Sequence, residues 1–374
     1  AKAQQGICMM DTLKIIVSTG GTGGHIFPAL AVADEIKRKY PNAEVLFAGS
    51  LYGKEKELCR KHGLDFYGLN VRGIKGRGLK AISALFAMSK AILESCRFLK
   101  KYKPHAVIGF GGYACFAMLL AAKFRGIPTM IHEQNAVAGL ANAILAKLVD
   151  TVCLSLPDTR KQFNPEKCVL TGNPIRHEIA NVKKENKDYT ELLIMGGSLG
   201  AVAINSLAVQ LLGTLRDNNI HIIHQCGEKD YARVAEAYKS HGYSQAEIDT
   251  MLFPFIDNMA EAYAKADFAL CRAGATSIAE LAATKTPALF IPFPYAANDH
   301  QTANAQSIVS RSGAIMVKES DIKQYPMDKI ILSILQNKAE LSEMAENIGK
   351  SAQKNAAENV VAELDNLLQK KRQS

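Results

Sequence analysis

Short apolar runs alternate with amphipathic stretches along the first half of the chain. The runs are rich in β-branched residues and are bounded by glycine or charged residues, as in buried strands. Strands are predicted at Leu13–Ser18, Val45–Ala48, Ala106–Gly109, Thr129–Ile131 and Thr151–Leu154. Helices are predicted between them, for example at Ile26–Tyr40, Gly53–His62 and Leu79–Tyr102. This alternation predicts a parallel sheet covered by helices.

The pattern is interrupted once and then starts again. The interruption is the polar, charged segment His177–Tyr189, which is typical of a linker. Later strands are predicted at Leu192–Met195, Ile220–His224, Leu252–Phe255, Phe268–Leu270 and Ala288–Ile291. Later helices are predicted near Ala201–Arg216, Lys229–Ser240, Thr276–Ala283 and His300–Ser310.

We therefore predict an α/β protein with two Rossmann-like parallel-sheet domains that face each other across a cleft. The first domain is predicted over residues 11–176, the linker over 177–190 and the second domain over 191–351. The segment 352–374 is predicted to form a helix that packs back on the first domain. Ligands of such folds bind at the carboxyl ends of the strands, so the loops there are the places to look for chemistry.

Composition and cysteine usage narrow the class of protein. The chain is 48% hydrophobic and 22% charged, close to the averages for globular proteins. Its 8 cysteines form no C-x-x-C pair, so a zinc site and a disulfide framework are both disfavoured and a reducing compartment is favoured. No apolar stretch approaches the ~20 residues of a membrane-spanning helix, and we expect neither such a helix nor a signal peptide.

The net charge of +9 is unevenly distributed. Up to Arg176 the chain has 25 basic and 12 acidic residues, a net charge of +13, whereas the remainder has 20 and 24, a net charge of −4. Basic residues are densest between Arg72 and Lys103. Such a surface favours an anionic partner, which could be a nucleic acid, a phosphorylated ligand or an anionic lipid.

Three glycine-rich loops each follow a predicted strand and precede a predicted helix. They are Gly20-Gly21-Thr22-Gly23-Gly24-His25, Gly109-Phe110-Gly111-Gly112-Tyr113 and Gly196-Gly197-Ser198-Leu199-Gly200. Such loops let backbone N–H groups approach a phosphate, although a single one can equally serve tight packing. A P-loop is excluded because His25 replaces its lysine, and a dinucleotide fingerprint lacks its third glycine at Ile26.

Two motifs of the first half offer side chains for catalysis. His25 closes the first loop at a helix start, where the helix dipole disfavours a protonated imidazole, so His25 is a candidate base. Its alternative is a histidine that caps the turn. The segment His132-Glu133-Gln134-Asn135 follows a predicted strand and is either a ligand-binding loop or a polar turn.

The second half contains two segments suited to a nucleotide sugar. Arg272–Glu280 reads RAGATSIAE directly after a predicted strand, so backbone N–H groups near Ala275 and Thr276 would meet a phosphate, and Glu280 would accept hydrogen bonds from ribose hydroxyls. The alternative is a capped helix with a solvated Glu280. Asn298–Asn304 supplies amides at another helix start, where they suit sugar hydroxyls or a simple helix cap.

These motifs together resemble the MurG family of bacterial peptidoglycan glycosyltransferases. From Leu13 to Lys318 the chain contains, in the family's order, GGTGGH, GFGGY, HEQN, GNPIR, GGSLGA, FID, CRAGATSIAE and HQTANA. The resemblance implies a GT-B fold and inverting transfer of N-acetylglucosamine from UDP-N-acetylglucosamine to the muramoyl 4-hydroxyl of lipid I, forming lipid II. It also implies a role in peptidoglycan synthesis, and thus in cell shape and division.

The resemblance also implies residue roles. Positions that match the family's donor-binding residues are Thr22, Gly23, Gly24, Asn135, Arg176, Ser198, Ile256, Ala275, Thr276, Ser277, Ile278, Ala279, Glu280 and Gln301. Among these, Ile256 is expected at the uracil, Glu280 at the ribose and Gln301 at the sugar hydroxyls. Contacts with the acceptor are expected at Gly21, Gly111, Gly112, Tyr113 and Glu133.

Inversion requires the acceptor hydroxyl to attack from the face opposite the leaving UDP, so we expect the base on the opposing domain, with His25 as the candidate. No Asp-x-Asp pair occurs, and we expect neither a metal ion nor another cofactor. Ser198, the helix near Ala275 and Arg176 would stabilise the leaving group instead.

Expected partners are UDP-N-acetylglucosamine, lipid I, anionic phospholipid and other cell-wall enzymes, with the protein peripheral on the cytoplasmic membrane face. The helix Leu79–Tyr102 suits such a membrane contact, or else an ordinary core contact. Three other functions stay open: a UDP-sugar epimerase or glycolipid transferase on the same scaffold, a non-catalytic UDP-sugar sensor, and nucleic-acid binding. The last is disfavoured because no nucleic-acid-binding signature is present.

Overall fold

The chain forms two compact units, each built on its own sheet. The computed structural model describes residues 12–20, 23–53, 55–71, 79–158, 160–197 and 199–373, without the side chains of 79–85. Domain 1 consists of the chain up to Arg176 together with the segment from Asn355 onward, and domain 2 comprises His177–Lys354. Two parallel-sheet α/β domains were predicted from the alternation of strands and helices, and this prediction is confirmed.

Domain 1 contains a seven-stranded, all-parallel sheet in the order β3-β2-β1-β4-β5-β6-β7. Its strands are β1 Lys14–Ser18, β2 Glu44–Ser50, β3 Asp65–Leu69, β4 Ala106–Gly109, β5 Thr129–Glu133, β6 Thr151–Leu154 and β7 Cys168–Leu170. Its helices are α1 Gly23–Lys39, α2 Glu55–Lys61, α3 Leu79–Tyr102, α4 Tyr113–Phe124 and α5 Leu140–Leu145. A 3₁₀ turn, Pro165–Lys167, precedes β7.

The two faces of this sheet bury separate hydrophobic clusters. Ile15 and Val17 of β1 point to one cluster, and Ile16 between them points to the other, as the period of two in a strand requires. Burial on both faces explains why the strands read as continuous apolar runs in the sequence.

Domain 2 contains a six-stranded parallel sheet in the order β10-β9-β8-β11-β12-β13. Its strands are β8 Thr190–Met195, β9 Ile220–Gln225, β10 Leu252–Phe253, β11 Phe268–Cys271, β12 Ala288–Phe290 and β13 Ala314–Met316. Its helices are α6 His177–Ala180, α7 Val202–Asp217, α8 Tyr231–Ser240, α9 Gln245–Met251, α10 Met259–Lys265, α11 Ala275–Ala283, α12 His300–Val309, α13 Met327–Gln336 and α14 Lys338–Gly349. Three 3₁₀ turns complete it, at Glu228–Asp230, Ala297–Asp299 and Glu319–Gln324.

The last helix, α15 Ala356–Gln373, belongs to domain 1. It packs on α1, where Asp365 accepts hydrogen bonds from Lys39 Nζ at 2.6 Å and from the hydroxyl of Tyr40 at 2.8 Å. Val360, Val361, Leu364, Leu367 and Leu368 of α15 complete the hydrophobic cluster on that face of the sheet. Domain 1 is therefore built from both ends of the chain.

The polar segment after Arg176 is anchored on domain 2. Lys184 donates hydrogen bonds to the carbonyl oxygens of Tyr263 and Ala266 and, at 2.7 Å, to the hydroxyl of Thr286. Burial lowers the pKa of Lys184 to about 8. The carbonyl groups that Lys184 binds lie at the carboxyl end of α10, where the helix dipole favours a positive charge.

His224 on β9 is a buried histidine of domain 2 with two side-chain partners. Its Nδ1 lies 3.2 Å from the hydroxyl of Tyr238 and its Nε2 lies 3.1 Å from Oδ1 of Asn205. Burial lowers the pKa of His224 to about 3, whereas an unfolded histidine titrates near ~6.5. Between these two values the unfolded chain binds a proton that the folded chain does not, so stability falls as the pH falls through this window.

We expect His224 to contribute about 2 kcal/mol to the loss of stability between pH 7 and pH 5, because its unfolded form becomes protonated over that range. His224→Leu is expected to be less stable at pH 7 but to lose less stability on acidification than the wild type. Urea unfolding followed by circular dichroism at pH 7, 6 and 5 measures this difference. The exposed His241, replaced by Leu, is the control. The prediction would be contradicted if the free energy of unfolding changed with pH by the same amount in wild type and His224→Leu.

Candidate active site

In both domains the strand order reverses beside a central strand. In domain 1, β1 lies between β2 and β4, and in domain 2, β8 lies between β9 and β11. Connections that leave neighbouring strands in opposite directions open a crevice at the carboxyl ends, where α/β folds bind ligands. The three glycine-rich loops follow β1, β4 and β8, and the RAGATSIAE segment follows β11. The candidate motifs therefore occupy the reversal points of both sheets.

The first glycine-rich loop leads from β1 into α1. Gly21 and Thr22 lie outside the described residues, and α1 begins at Gly23, which places His25 in its first turn. Nδ1 of His25 lies 2.9 Å from Oε1 of Gln134. The structure thus joins the first loop to the HEQN segment, two motifs that are far apart in the sequence.

The second glycine-rich loop packs against the first. Gly111 and Gly112 have φ values of +99° and +90°, a region that disfavours residues with a side chain. A Cβ atom at Gly112 would lie 2.1 Å from the carbonyl oxygen of Gly20, and one at Gly111 would lie 3.1 Å from Cε1 of His25. Packing alone therefore requires both glycines. Their predicted contact with the acceptor, and that of the partly exposed Tyr113 at the start of α4, stay predictions.

Glu133 organises the loop that follows β5. Its carboxylate, which is 2% exposed, accepts hydrogen bonds from the backbone N–H groups of Asn135 and Gly139 and from the side chain of Asn142. Oε1 also lies 3.2 Å from Nδ2 of Asn135. Glu133 thereby holds Asn135 in place, and its predicted contact with the acceptor stays a prediction.

Arg176, at the end of domain 1, is held by an aromatic side chain of α1. Its guanidinium carbon lies 5.3 Å from the ring centroid of Phe27, two residues after His25. Such a cation–π contact orients the guanidinium group without using its N–H donors. The predicted donor-binding arginine and the candidate base are thus anchored on the same helix.

In domain 2, helix α11 begins directly after β11. Its N-cap is Gly274, and Ala275, Thr276 and Ser277 of the first turn lie half-buried. A helix N-terminus of this kind binds phosphate through its backbone N–H groups. Ile278 is 5% exposed and its backbone N–H donates to the carbonyl oxygen of Gly274, so its contact with the donor stays a prediction; Ala279 is half-buried.

Glu280 lies one turn further along α11 and is 6% exposed. Its Oε2 accepts a hydrogen bond of 2.9 Å from the hydroxyl of Tyr263, a completely buried residue of α10. Tyr263 therefore fixes the orientation of the carboxylate that is predicted to meet the ribose. No local signal in the sequence marks Tyr263, since an aromatic residue on an amphipathic helix indicates only the core.

Gln301 lies in the first turn of α12, directly after a turn with an unusual backbone conformation. Asn298 and Asp299 both have left-handed backbone angles, with φ of +54° and +51°, as is found at functional sites. Oε1 of Gln301 accepts a hydrogen bond of 2.9 Å from the backbone N–H of Phe293. Its amide nitrogen is therefore the group that would donate to a sugar hydroxyl, and this contact stays a prediction. Nδ1 of His300 donates to the carbonyl oxygen of Ala297 at 2.7 Å, which makes His300 a cap of this turn.

Two predicted donor residues of domain 2 remain, Ile256 and Ser198. Ile256 is half-buried in the loop after β10. Ser198 of the third glycine-rich loop lies outside the described residues. In that loop Gly200 has a φ of +74°, and a Cβ atom there would lie 2.1 Å from the carbonyl oxygen of Cys226. The third loop, like the second, needs glycine for close backbone packing.

The described residues meet the requirements of neither a metal site nor a membrane-spanning helix. No group of three metal-ligating side chains occurs among the described residues. None of the described helices combines the length and the apolar character needed to cross a membrane.

Two parallel-sheet domains with glycine-rich loops and helix starts at their reversal points fit an enzyme that acts on nucleotide sugars, and family models identify that enzyme as a glycosyltransferase. The N-terminal domain model of glycosyltransferase family 28 matches residues 15–154, and the C-terminal domain model of the same family matches residues 191–360.

Individual relatives narrow the class. The UDP-N-acetylglucosamine--N-acetylmuramyl-(pentapeptide) pyrophosphoryl-undecaprenol N-acetylglucosamine transferases of Nitratidesulfovibrio vulgaris and Lawsonia intracellularis are each 46% identical to this chain, over 95% of it and 98% of their own length. The crystal structure of Acinetobacter baumannii MurG superimposes with a TM-score of 0.74 at 32% identity, covering 96% of this chain and 99% of that one. This chain therefore belongs to glycosyltransferase family 28 and, within it, to the MurG family.

The fold alone is shared more widely. A UDP-N-acetylglucosamine 2-epimerase superimposes with a TM-score of 0.66 at 14% identity, covering 95% of this chain and 96% of that one. At this identity the likeness concerns only the architecture.

Proposed function

We propose that this chain transfers N-acetylglucosamine from UDP-N-acetylglucosamine to the 4-hydroxyl of the muramoyl sugar of lipid I, with inversion, to form lipid II. The observation that carries the proposal is the pair of polar sites at the sheet reversal points. One holds a histidine that suits a base, and the other holds a helix N-terminus beside a buried carboxylate. The 46% identity to transferases named for this reaction supports the choice of substrates.

Domain 2 is proposed to bind the donor. The first turn of α11 would hold the diphosphate through its N–H groups, and Glu280 would accept hydrogen bonds from both ribose hydroxyls. The loop at Ile256 would meet the uracil, and the amide nitrogen of Gln301 would donate to a sugar hydroxyl. Ser198 is proposed as a further diphosphate contact.

The acceptor hydroxyl is proposed to lose its proton to His25 as it attacks. The new bond forms between the acceptor oxygen and the anomeric carbon, while the bond from that carbon to the phosphate oxygen breaks and its electron pair leaves with UDP. Inversion needs attack from the face opposite UDP, so the base is proposed to come from domain 1, whereas the contacts with the uracil and the ribose are assigned to domain 2. Arg176 and the N-terminus of α11 would stabilise the charge that develops on UDP.

The remaining contacts of domain 1 are also proposals. Gly21, Gly111, Gly112 and Tyr113 would lie along the acceptor, whose pyrophosphate suits the glycine-rich loops. On the donor side, Thr22, Gly23, Gly24 and Asn135 are assigned by resemblance. We propose that the reaction needs neither a metal ion nor another cofactor.

A membrane contact is proposed for helix α3, because lipid I is a membrane lipid. Phe86, Lys90, Leu93 and Arg97 recur at helical spacing along one stripe, and Phe86 and Leu93 are 75% and 60% exposed. The opposite side of α3 buries Met88, Ala91 and Leu99. The helix thus offers both a core face and an outer face that combines exposed apolar and basic residues, as at anionic membrane surfaces.

The neighbouring helices also carry exposed apolar side chains. α3 packs against α4, and α4 packs against α5. Large exposed apolar side chains on these helices and just beyond them are Phe124, Leu140, Ile144 and Leu148. We therefore propose a peripheral location on the cytoplasmic face of the membrane, with anionic phospholipid as a partner; other cell-wall enzymes are proposed as protein partners.

Replacing both Phe86 and Leu93 with serine is expected to weaken binding to anionic vesicles at least about tenfold, since complete burial of each side chain stabilises by ~1.5–3 kcal/mol. Co-sedimentation with vesicles of phosphatidylglycerol and phosphatidylcholine measures this. Tyr325→Ser, which removes an exposed aromatic residue of domain 2, is the control. Binding by the wild type that ignores anionic lipid content and salt would contradict the membrane proposal.

The transfer reaction is tested with radiolabelled UDP-N-acetylglucosamine and a short-chain lipid I analogue. The expected result is incorporation of label into the lipid product, with UDP-glucose as the control donor. A UDP-sugar epimerase on the same scaffold would instead convert the donor without an acceptor. Absence of label in the lipid together with isomerised donor would replace the proposal by that alternative.

A further inference from the structure

A chain of hydrogen bonds leads from His25 into the core of domain 1. Nδ1 of His25 lies 2.9 Å from Oε1 of Gln134, and Nε2 of Gln134 lies 3.2 Å from Nδ1 of His132. Nε2 of His132 lies 2.9 Å from the carbonyl oxygen of Gly172. Gln134 and His132 are 1% and 0% exposed, so solvent does not compete for the contacts of His132, whereas His25 itself is half-buried. The donor and the acceptor of each hydrogen bond can be assigned by starting at the carbonyl oxygen of Gly172 and working outward to His25.

The carbonyl oxygen of Gly172 can only accept, so Nε2 of His132 carries a hydrogen atom. His132 is neutral because burial lowers the pKa of its imidazole to about 4. A neutral imidazole carries a single N–H group, and Nδ1 of His132 is therefore an acceptor.

The amide of Gln134 has one orientation that satisfies its neighbours. Its nitrogen faces three acceptors: Nδ1 of His132 at 3.2 Å, the carbonyl oxygen of His132 at 3.1 Å and the carbonyl oxygen of Phe110 at 3.2 Å. The two amide hydrogens are shared among these three atoms. The amide oxygen is then the atom that meets His25, and because it can only accept, Nδ1 of His25 carries the hydrogen.

The imidazole of His25 is also confined from a second side. A Cβ atom at Gly111 would lie 3.1 Å from Cε1 and 3.2 Å from Nδ1 of His25, so the glycine backbone packs directly against the ring. The ring is thus held between Gly111 and Gln134, with Nδ1 turned to the amide oxygen.

We propose that Gln134 and His132 are positioning residues that fix neutral His25 with its proton on Nδ1, so that Nε2 accepts the proton of the attacking hydroxyl. The proposal rests on the function proposed above. A histidine base works through one nitrogen only, and a group that selects the tautomer decides whether that nitrogen has a lone pair. Without an acceptor at Nδ1, the proton can occupy Nε2 and block the transfer.

The first test is spectroscopic and needs no substrate. In the full chain labelled with ¹⁵N-histidine, at a pH where His25 is neutral, we expect a protonated Nδ1 and an unprotonated Nε2, with the His25 signals assigned by their loss in His25→Gln. In Gln134→Met, which removes the acceptor and keeps the length of the side chain, we expect a mixture of tautomers. A wild-type His25 protonated on Nε2, or one tautomer retained in Gln134→Met, would overturn the proposal.

The second test is kinetic. Gln134→Met is expected to lower kcat by ~10–100-fold, part of the ~10²–10⁴-fold that a general base contributes, with KM for UDP-N-acetylglucosamine within about twofold of the wild type. Gln134→Glu, which keeps an acceptor oxygen but loses the amide donors, is expected to recover much of kcat. A purely structural role would predict a similar loss of kcat in both variants, since the donors that anchor the loop are lost in both, and that result would overturn the proposal.

A control variant and a folding measurement separate failure of the tautomer proposal from failure of the proposed function. Gln336→Met, an exposed glutamine of α13, is expected to leave both kcat and the His25 tautomer unchanged. Circular dichroism shows whether each variant is folded, and the wild-type tautomer decides the proposal even when Gln134→Met does not fold. Wild-type protein that fails to transfer N-acetylglucosamine but shows the Nδ1-protonated tautomer would reject the proposed function and leave the tautomer assignment standing.

Discussion

Replacing His25 with alanine is expected to lower kcat by ~10²–10⁴-fold, because that is the usual contribution of a positioned general base. KM for UDP-N-acetylglucosamine is expected to change little, since a general base acts on the acceptor hydroxyl in the transition state and His25 itself is not assigned to the donor. Initial rates of transfer to a lipid I analogue, with both substrates varied, separate the two parameters.

The matched control is His241→Ala, which removes an exposed histidine at the end of α8 and is expected to leave turnover unchanged. Near wild-type turnover by His25→Ala at saturating substrates would remove His25 from the role of base. The tautomer proposal for Gln134 would then lose its catalytic meaning.

Glu280→Gln is expected to weaken binding of UDP by ~10–100-fold, because hydrogen bonds to a charged group contribute ~1.5–3 kcal/mol and two ribose hydroxyls are involved. The carboxylate is 6% exposed and already oriented by Tyr263, so it is preorganised for this contact. Tyr263→Phe keeps the carboxylate and removes its buried donor, and an intermediate loss of about threefold to tenfold is expected. Isothermal titration with UDP measures both.

Glu261→Gln serves as the control for Glu280. Glu261 is an exposed glutamate of α10 that pairs with Lys265 at 2.8 Å, and its replacement is expected to leave UDP affinity unchanged. Equal UDP affinity in wild type and Glu280→Gln would place the ribose elsewhere.

Much of the fold follows from local pattern, and the elements that were missed have physical reasons. β3 Asp65–Leu69 and β7 Cys168–Leu170 lie at the two edges of their sheet, and most of their residues are only half-buried, which weakens the apolar signal. The strand predicted at Leu252–Phe255 ends at Phe253, because Pro254 has no N–H group to donate to a neighbouring strand.

The candidate site was predictable in part. Glycine loops, a histidine at a helix start and a carboxylate one turn into a helix are local signals, and each predicted residue that is described lies at the carboxyl edge of a sheet or in the helix that follows. The buried partners had no such signal. Nothing in the local sequence distinguishes Tyr263 from a core aromatic residue, or Gln134 from a polar turn residue.

The sequence by itself determined the alternation of strands and helices in both halves of the chain, the separation into two parallel sheets and the identity of the loops that suit phosphate, because each depends on periodicity or on residues within one turn. The tertiary structure decided which of these loops meet. His25 and Gln134 are 109 positions apart, and Lys39 and Asp365 are 326 apart. Such contacts depend on the order of strands within the sheet, and an apolar run carries no information about its neighbours in that order.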